Sequence, residues 1–172
     1  MKKGTFYTII FVISTIAVAF DQFIKGIVNY FIGINSSIEI IKGFFSITNA
    51  HNYGAAWSIL WEQREYIIAV TVVALIFVII LLFRENNFQK FKTIYYGLLI
   101  GGILGNLIDR IILGYVVDYL DFNFFGFDYP IFNLSDTFIV ISILMICIEC
   151  FFPFNNKQKY IEQEVEVLDF DK

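Results

Sequence analysis

The sequence predicts an α-helical integral membrane protein with four transmembrane helices, and three observations predict it. Apolar residues make up 58 % of the 172 and charged residues only 16 %, against about 45–50 % and about 25 % in soluble domains. The apolar residues form four long runs, and the mean hydropathy is +0.71. The Asp, Asn and Arg residues that fall in or beside those runs, Asp21, Asn106, Arg110 and Asp136, gather at one end of them, the same side of a bilayer if the chain crosses it four times. A net charge of -4 provides no basic surface for nucleic acid, and none is expected as a partner. One domain is expected, a membrane-embedded unit over residues 1–152, followed by a polar tail over 153–172.

The spans are expected at about residues 4–24, 66–83, 93–112 and 136–152, since a helix needs roughly 20 mostly apolar residues to cross a bilayer. The first follows Lys2 and Lys3 and is uncharged to Phe20. Its Ala17-Val18-Ala19 could end a cleavable signal peptide. Cleavage would leave three spans and put Arg84, Lys90 and Lys92 opposite the C-terminus, so the run is read as a span. The second is uncharged, and Trp57, Trp61 and Tyr66 before it suit an interfacial aromatic belt. The third carries Gly97, Gly101 and Gly105, a small-residue stripe for close helix packing. The fourth begins at Asp136 and contains Cys147 and Cys150, read as apolar fillers.

Lys2 and Lys3, then Arg84, Lys90 and Lys92, then Lys157 and Lys159 all fall on one side, which the excess of basic residues makes cytoplasmic. Both termini are then inside, and the connections after spans one and three are outside. Within the first, residues 38–48 are β-branched and apolar around Gly43, which suggests two short strands and a bend. Asn52 and Gly54 suggest a tight turn. A small β platform over about residues 31–60 is expected, with His51 as a loop residue and not a catalyst. The second connection, residues 114–135, is expected to be a long aromatic loop.

That loop starts and ends near an aspartate in apolar surroundings, Asp118 and Asp136. Two carboxyl groups held close share one proton, and such a pair can take a proton from water and give one to a leaving group. The alternative is an ordinary loop carboxylate at Asp118 and a helix cap at Asp136. Asp21 and Lys25 are either a surface ion pair at i and i+4 or a pair facing a polar cavity. Asn106 and Arg110 share a helix face, and Arg110 either snorkels to headgroups or orients a carbonyl or carboxylate. With a single His and no ligand cluster, neither metal nor cofactor is expected.

In order, Asp21-Gln22-Phe23-Ile24-Lys25, Asn52-Tyr53-Gly54-Ala55-Ala56-Trp57, Gly105-Asn106-Leu107-Ile108-Asp109-Arg110, Val116-Val117-Asp118-Tyr119 and Phe132-Asn133-Leu134-Ser135-Asp136 closely resemble the signal peptidase II family, over about residues 5–152. The resemblance implies four membrane helices, an outer β-cradle and an outer loop acting as a lid. It implies an intramembrane aspartyl endopeptidase that cleaves bacterial prolipoproteins just before a diacylglyceryl-modified cysteine. The catalytic pair falls on Asp118 and Asp136, and the substrate-lining residues on Asp21, Lys25, Asn52, Gly54, Asn106, Arg110 and Asn133. Trp57 and Ser135 stand where Phe and Ala are frequent in the family; Ser135 adds a hydroxyl beside Asp136. Lipidated prolipoproteins and membrane lipids are the partners implied, and a monomer is expected. The alternatives are a small transporter or proton-coupled membrane protein, which would spread polar residues through the full depth of the bundle, and a non-catalytic assembly protein.

Overall fold

The computed structural model describes residues 1–54, 63–124 and 126–152. Among them are four helices long and apolar enough to cross a membrane: α1 Lys3–Phe31, α2 Arg64–Arg84, α3 Lys90–Ile112 and α4 Leu134–Phe151. The protein is a multi-pass membrane protein. The expected roles of Trp57 and Trp61, and of the acidic tail, lie outside the described residues.

α3 is the central helix. Within its span 67 % of residues are buried, against 22 %, 17 % and 11 % in α1, α2 and α4. Exposed Val, Ile, Leu and Phe side chains on α2 and α4 give the bundle an apolar outer face, as expected where lipid is the solvent. Cys147 and Cys150 lie on that exposed face. Gly101 of the glycine stripe and the adjacent Gly102 explain how α3 reaches its neighbours. A Cβ on Gly101 would lie 2.7 Å from the Ala17 Cβ of α1, and one on Gly102 would lie 2.6 Å from the Ser135 carbonyl oxygen of α4. Both helices therefore approach α3 closer than any side chain there would allow.

α1 runs to Phe31, past the expected end near residue 24. Its buried residues, Phe6, Ile10, Ser14, Ala17, Asp21, Lys25 and Val28, recur every three or four positions, which is one continuous helix stripe. Asp21 and Lys25 do not end the helix, because both charges are paired inside the bundle. The extra turns carry Val28 and Ile32 onto Val117 and Tyr119 in a second apolar cluster.

That cluster seats a four-stranded antiparallel sheet in the order β1-β2-β3-β4: β1 Ser37–Ile41, β2 Phe45–Asn52, β3 Val116–Phe124 and β4 Phe127–Asp128. β1 and β2 form the expected pair of strands, turning at Gly43 with φ of 68°, a left-handed conformation glycine adopts without strain. His51 sits within β2 and not in a loop. Residues 116–124 differ from the expected loop: they are an inner strand paired along β2, with Ala50 opposite Asp118 and Phe45 opposite Phe122. The physical reason is alternation. Val117 and Tyr119 face the apolar cluster under the sheet, while Val116, Asp118, Phe122 and Phe124 point into a cavity.

Candidate active site

The cavity, about 690 Å³, lies between the sheet and the N-terminal end of α4. Asn52, Asn106, Arg110, Asp118 and Asp136 form its polar wall. Phe122, Phe124, Ile131, Phe132 and Ile139–Ile141 of α4 are among its apolar residues.

Asp118 enters from β3 and Asp136 from the first turn of α4. The residue that joins them is Asn133. It is the N-cap of α4: its Oδ1 accepts from the Asp136 backbone N–H at 3.0 Å, and its own N–H donates to Asp136 Oδ2 at 3.1 Å. This reciprocal capping box places Asp136 at the third helical position, not at the cap itself. Asn133 Nδ2 then donates to Asp118 Oδ1 at 2.6 Å. The two remaining carboxyl oxygens each receive an amide: Asn52 Nδ2 reaches Asp118 Oδ2 at 2.9 Å, and Asn106 Nδ2 reaches Asp136 Oδ1 at 2.7 Å. All four oxygens thus have one N–H donor each. Burial and, next, the nearby Asp136 charge push the Asp118 carboxyl up to about 7, against the weaker pull of its amide partners.

Arg110 leans along the same wall, donating to the carbonyls of Asn106 at 3.3 Å and Gly54 at 3.2 Å. Gly54 is placed by its N–H bond to Asn52 Oδ1 at 2.9 Å, a side-chain turn that Asn forms readily. The C-terminus of α3 is held in turn by Arg64, whose guanidinium donates to the carbonyls of Arg110 and Ile111 at 2.7 and 2.8 Å.

The match to known proteins concerns this same region. The signal peptidase (SPase) II family model matches residues 13–152, which contain all of these side chains. The chain belongs to the signal peptidase II family. The lipoprotein signal peptidase of Staphylococcus haemolyticus is 37 % identical over 158 residues, covering 92 % of this chain and all of that one. That of Staphylococcus aureus strain Newman is 36 % identical over 166 residues, covering 96 % and all respectively. Among solved structures, a bacterial membrane enzyme determined by the in meso method at 2.3 Å superposes with a TM-score of 0.78 at 36 % identity, covering 86 % of this chain and 90 % of that one. Membership makes the chain a peptidase.

The expected site residues of this peptidase divide into two groups. Asn52, Asn106, Arg110, Asp118 and Asp136 line the cavity. Asn133 is 0 % exposed and works from behind the two aspartates. Asp21 and Lys25, expected to line a substrate, are 0 % and 2 % exposed and lie behind Asn106. Lys25 Nζ bonds Asp21 Oδ2 and Asp109 Oδ2, both at 2.8 Å, and Asn106 Oδ1 at 3.0 Å. Gly54 contributes its backbone carbonyl to Arg110. The Ser135 hydroxyl is buried toward Gly105, away from the expected place beside Asp136, while the Ser135 N–H donates to Asp21 Oδ1 at 3.0 Å.

Sequence reasoning passed over Asp109. It is 1 % exposed and accepts from Lys25, from Gln22 Nε2 at 2.8 Å and from the Val117 N–H at 3.3 Å. The available signal was its spacing, three residues after Asn106 and four after Gly105, which turns it toward α1. His51 stacks on Tyr115, with ring centroids 3.8 Å apart, and bonds Asn29 Oδ1 at 3.2 Å. Burial lowers its pKa, and it serves the sheet, not the cavity.

Proposed function

We propose that this peptidase is an aspartyl endopeptidase that removes the signal peptide of diacylglyceryl-modified bacterial prolipoproteins, cleaving on the N-terminal side of the lipidated cysteine. The reading rests on one observation above the others: a single residue, Asn133, bonds both aspartates beside one cavity. Two carboxyl groups so placed share a proton. The ionised member takes a proton from water as its oxygen adds to the scissile carbonyl carbon, and the other member gives its proton to the carbonyl oxygen. Collapse of the tetrahedral intermediate breaks the C–N bond. The departing nitrogen takes a proton from the dyad, the intermediate's hydroxyl returns one, and the pair is left with one again. Asn52, Asn106 and Arg110 supply N–H groups for the substrate backbone, and the Phe122, Phe124 and Ile139–Ile141 wall suits lipid and apolar signal-peptide residues.

The names of the staphylococcal relatives support the substrate class. Basic residues support the orientation. Lys2, Lys3, Arg84 and Lys90 lie at the end of the bundle away from the sheet, which supports reading that end as cytoplasmic, with both termini inside and the cavity at the outer face. Tyr129, Pro130, Ile131 and Phe132, beyond the inner strand, line the cavity and are read as part of a lid over it.

The test is cleavage of a purified lipidated prolipoprotein by the wild type, Asp118→Asn and Asp136→Asn. Turnover is expected in the wild type alone, with both variants still folded. Substantial cleavage by either variant overturns the dyad, and no cleavage by the wild type overturns the substrate.

A further inference from the structure

We infer that Lys25 is a positioning residue for the carboxyl pair, acting through Asn106, and not a substrate ligand. The inference rests on the dyad reading above. An ammonium has three N–H donors and no acceptor. All three are in use, on Asp21 Oδ2, Asp109 Oδ2 and Asn106 Oδ1, and the group is 2 % exposed. No donor remains to reach into the cavity.

What Lys25 does for Asn106 follows from the same inventory. Only an acceptor can face a donor-only group, so the Asn106 atom toward Lys25 is its oxygen. The amide nitrogen must then face the other way, where it meets Asp136 Oδ1. Asn106 Oδ1 also accepts from Asn133 Nδ2 at 3.1 Å, and that nitrogen's other hydrogen goes to Asp118. One ammonium therefore pins the amide from which both arms of the pair are held. A positive charge on the amide oxygen also polarises its N–H groups, strengthening the bond to Asp136. Asp21 and Asp109 both pair with the ammonium, and each ties Lys25 to a different part of the site: Asp21 to the Ser135 N–H at the start of α4, Asp109 to the Val117 N–H next to Asp118.

The experiment is a double-mutant cycle on kcat with a lipidated prolipoprotein. The charge-balanced variant Lys25→Met/Asp109→Asn is measured in the wild-type and Asn106→Ala backgrounds, beside Asp118→Asn. Alone, the pair is expected to lower kcat about 100-fold, the size of effect that misplacing a catalytic group produces, with KM nearly unchanged. In the Asn106→Ala background it should cost no more than about threefold, because distant independent sites add and coupled ones do not. Equal losses in both backgrounds would reduce Lys25 to a structural charge and overturn the inference, as would a raised KM at unchanged kcat, which would make Lys25 a substrate ligand. Should that pair not fold, Lys25→Gln/Asp109→Asn keeps a polar group in the slot and is read by the same cycle. Full turnover in Asp118→Asn would instead defeat the dyad itself, whatever the cycle gives.

Discussion

A lysine between two carboxylates occurs at each end of this bundle. At the sheet end, Lys25 lies between Asp21 and Asp109. At the far end, Lys92 lies between Glu85 at 2.6 Å and Glu149 at 3.1 Å, and Tyr95 donates to Glu149 at 2.6 Å. Both hold one cation against two anions, but Lys25 and its carboxylates join α1 to α3, while Lys92 and its carboxylates join three segments, the end of α2, α3 and α4. They differ in what the third donor of the ammonium does. Lys25 spends it on an amide that touches Asp136, while Lys92 and its partners tie the ends of α2, α3 and α4. Equal ion-pair chemistry can thus serve position in one place and stability in the other, and the difference is legible only by following the hydrogen bonds outward.

The sharpest way to break this comparison is to remove function at one end and not the other. Asp118→Asn and Asp136→Asn should each cost at least about 100-fold and up to about 10,000-fold in kcat, the range of general acid–base catalysis, with the protein still folded by its circular dichroism and elution in detergent. Lys92→Met should do the reverse. It leaves Glu85 and Glu149 with side chains only 14 % and 17 % exposed and without their cation, which is expected to destabilise by about 3 kcal/mol. Denaturant unfolding in detergent measures that loss, and kcat per folded molecule should stay at the wild-type value. A fall in kcat of the folded fraction would mean that the far-end cluster also reaches the chemistry.

Packing offers a finer separation. Gly102→Ala would place a methyl 2.6 Å from the Ser135 carbonyl oxygen, and backbone cannot rotate away as a side chain can. The start of α4 must move, and Asp136 moves with it. A loss of roughly tenfold or more in kcat is expected, since a displacement near 1 Å can cost about 100-fold. Gly4→Ala, in the opposite half of the bundle with nothing within 4 Å of the added methyl, is the control and should leave turnover unchanged. Equal activity in the two variants would show that α4 is not held to the precision assumed for the pair.

The same contrast explains what was legible in the sequence. Four spans followed from apolar runs, because lipid leaves a chain few alternatives. The first two strands followed from β-branched residues around Gly43. The motifs brought Asp118 and Asp136 forward, yet β3 was hidden: Asp118, Asp121 and Asn123 interrupt its apolar pattern, so it looked like loop. The α1 boundary was hidden for a related reason. Asp21 and Lys25 look like the water-facing end of a span, and only their partners on α3 reveal that they are interior. Asn133 and Asp109 show the general limit. A sequence displays which polar groups are present, but not which of them spend their hydrogen bonds on one another.

The smallest effect is expected in the pH profile, and it tests the sheet end from a different side. The ordinary carboxyl value is 3.8, and Asp118 is pushed up to about 7, chiefly by burial. Under the proposed dyad, a carboxyl raised this far holds a proton in mildly acidic solution, and Asp118 is expected to supply the acid. Turnover that needs this proton should fall as pH rises through about 7, because deprotonation leaves two anions and no acid. The stability sign is the same. A folded-state value raised above the unfolded one favours folding below about pH 4, and that contribution is lost as pH rises through about 7. Asn52 supplies the means to move the limb. Its N–H to Asp118 Oδ2 favours the ionised form, so Asn52→Ala should hold the proton more tightly. The falling limb is expected to shift upward by about one pH unit, equivalent to about 1.4 kcal/mol, with a modest loss of kcat at the optimum. A limb that stays in place, or moves toward acid, would mean that Asp118 is not the group whose proton sets it.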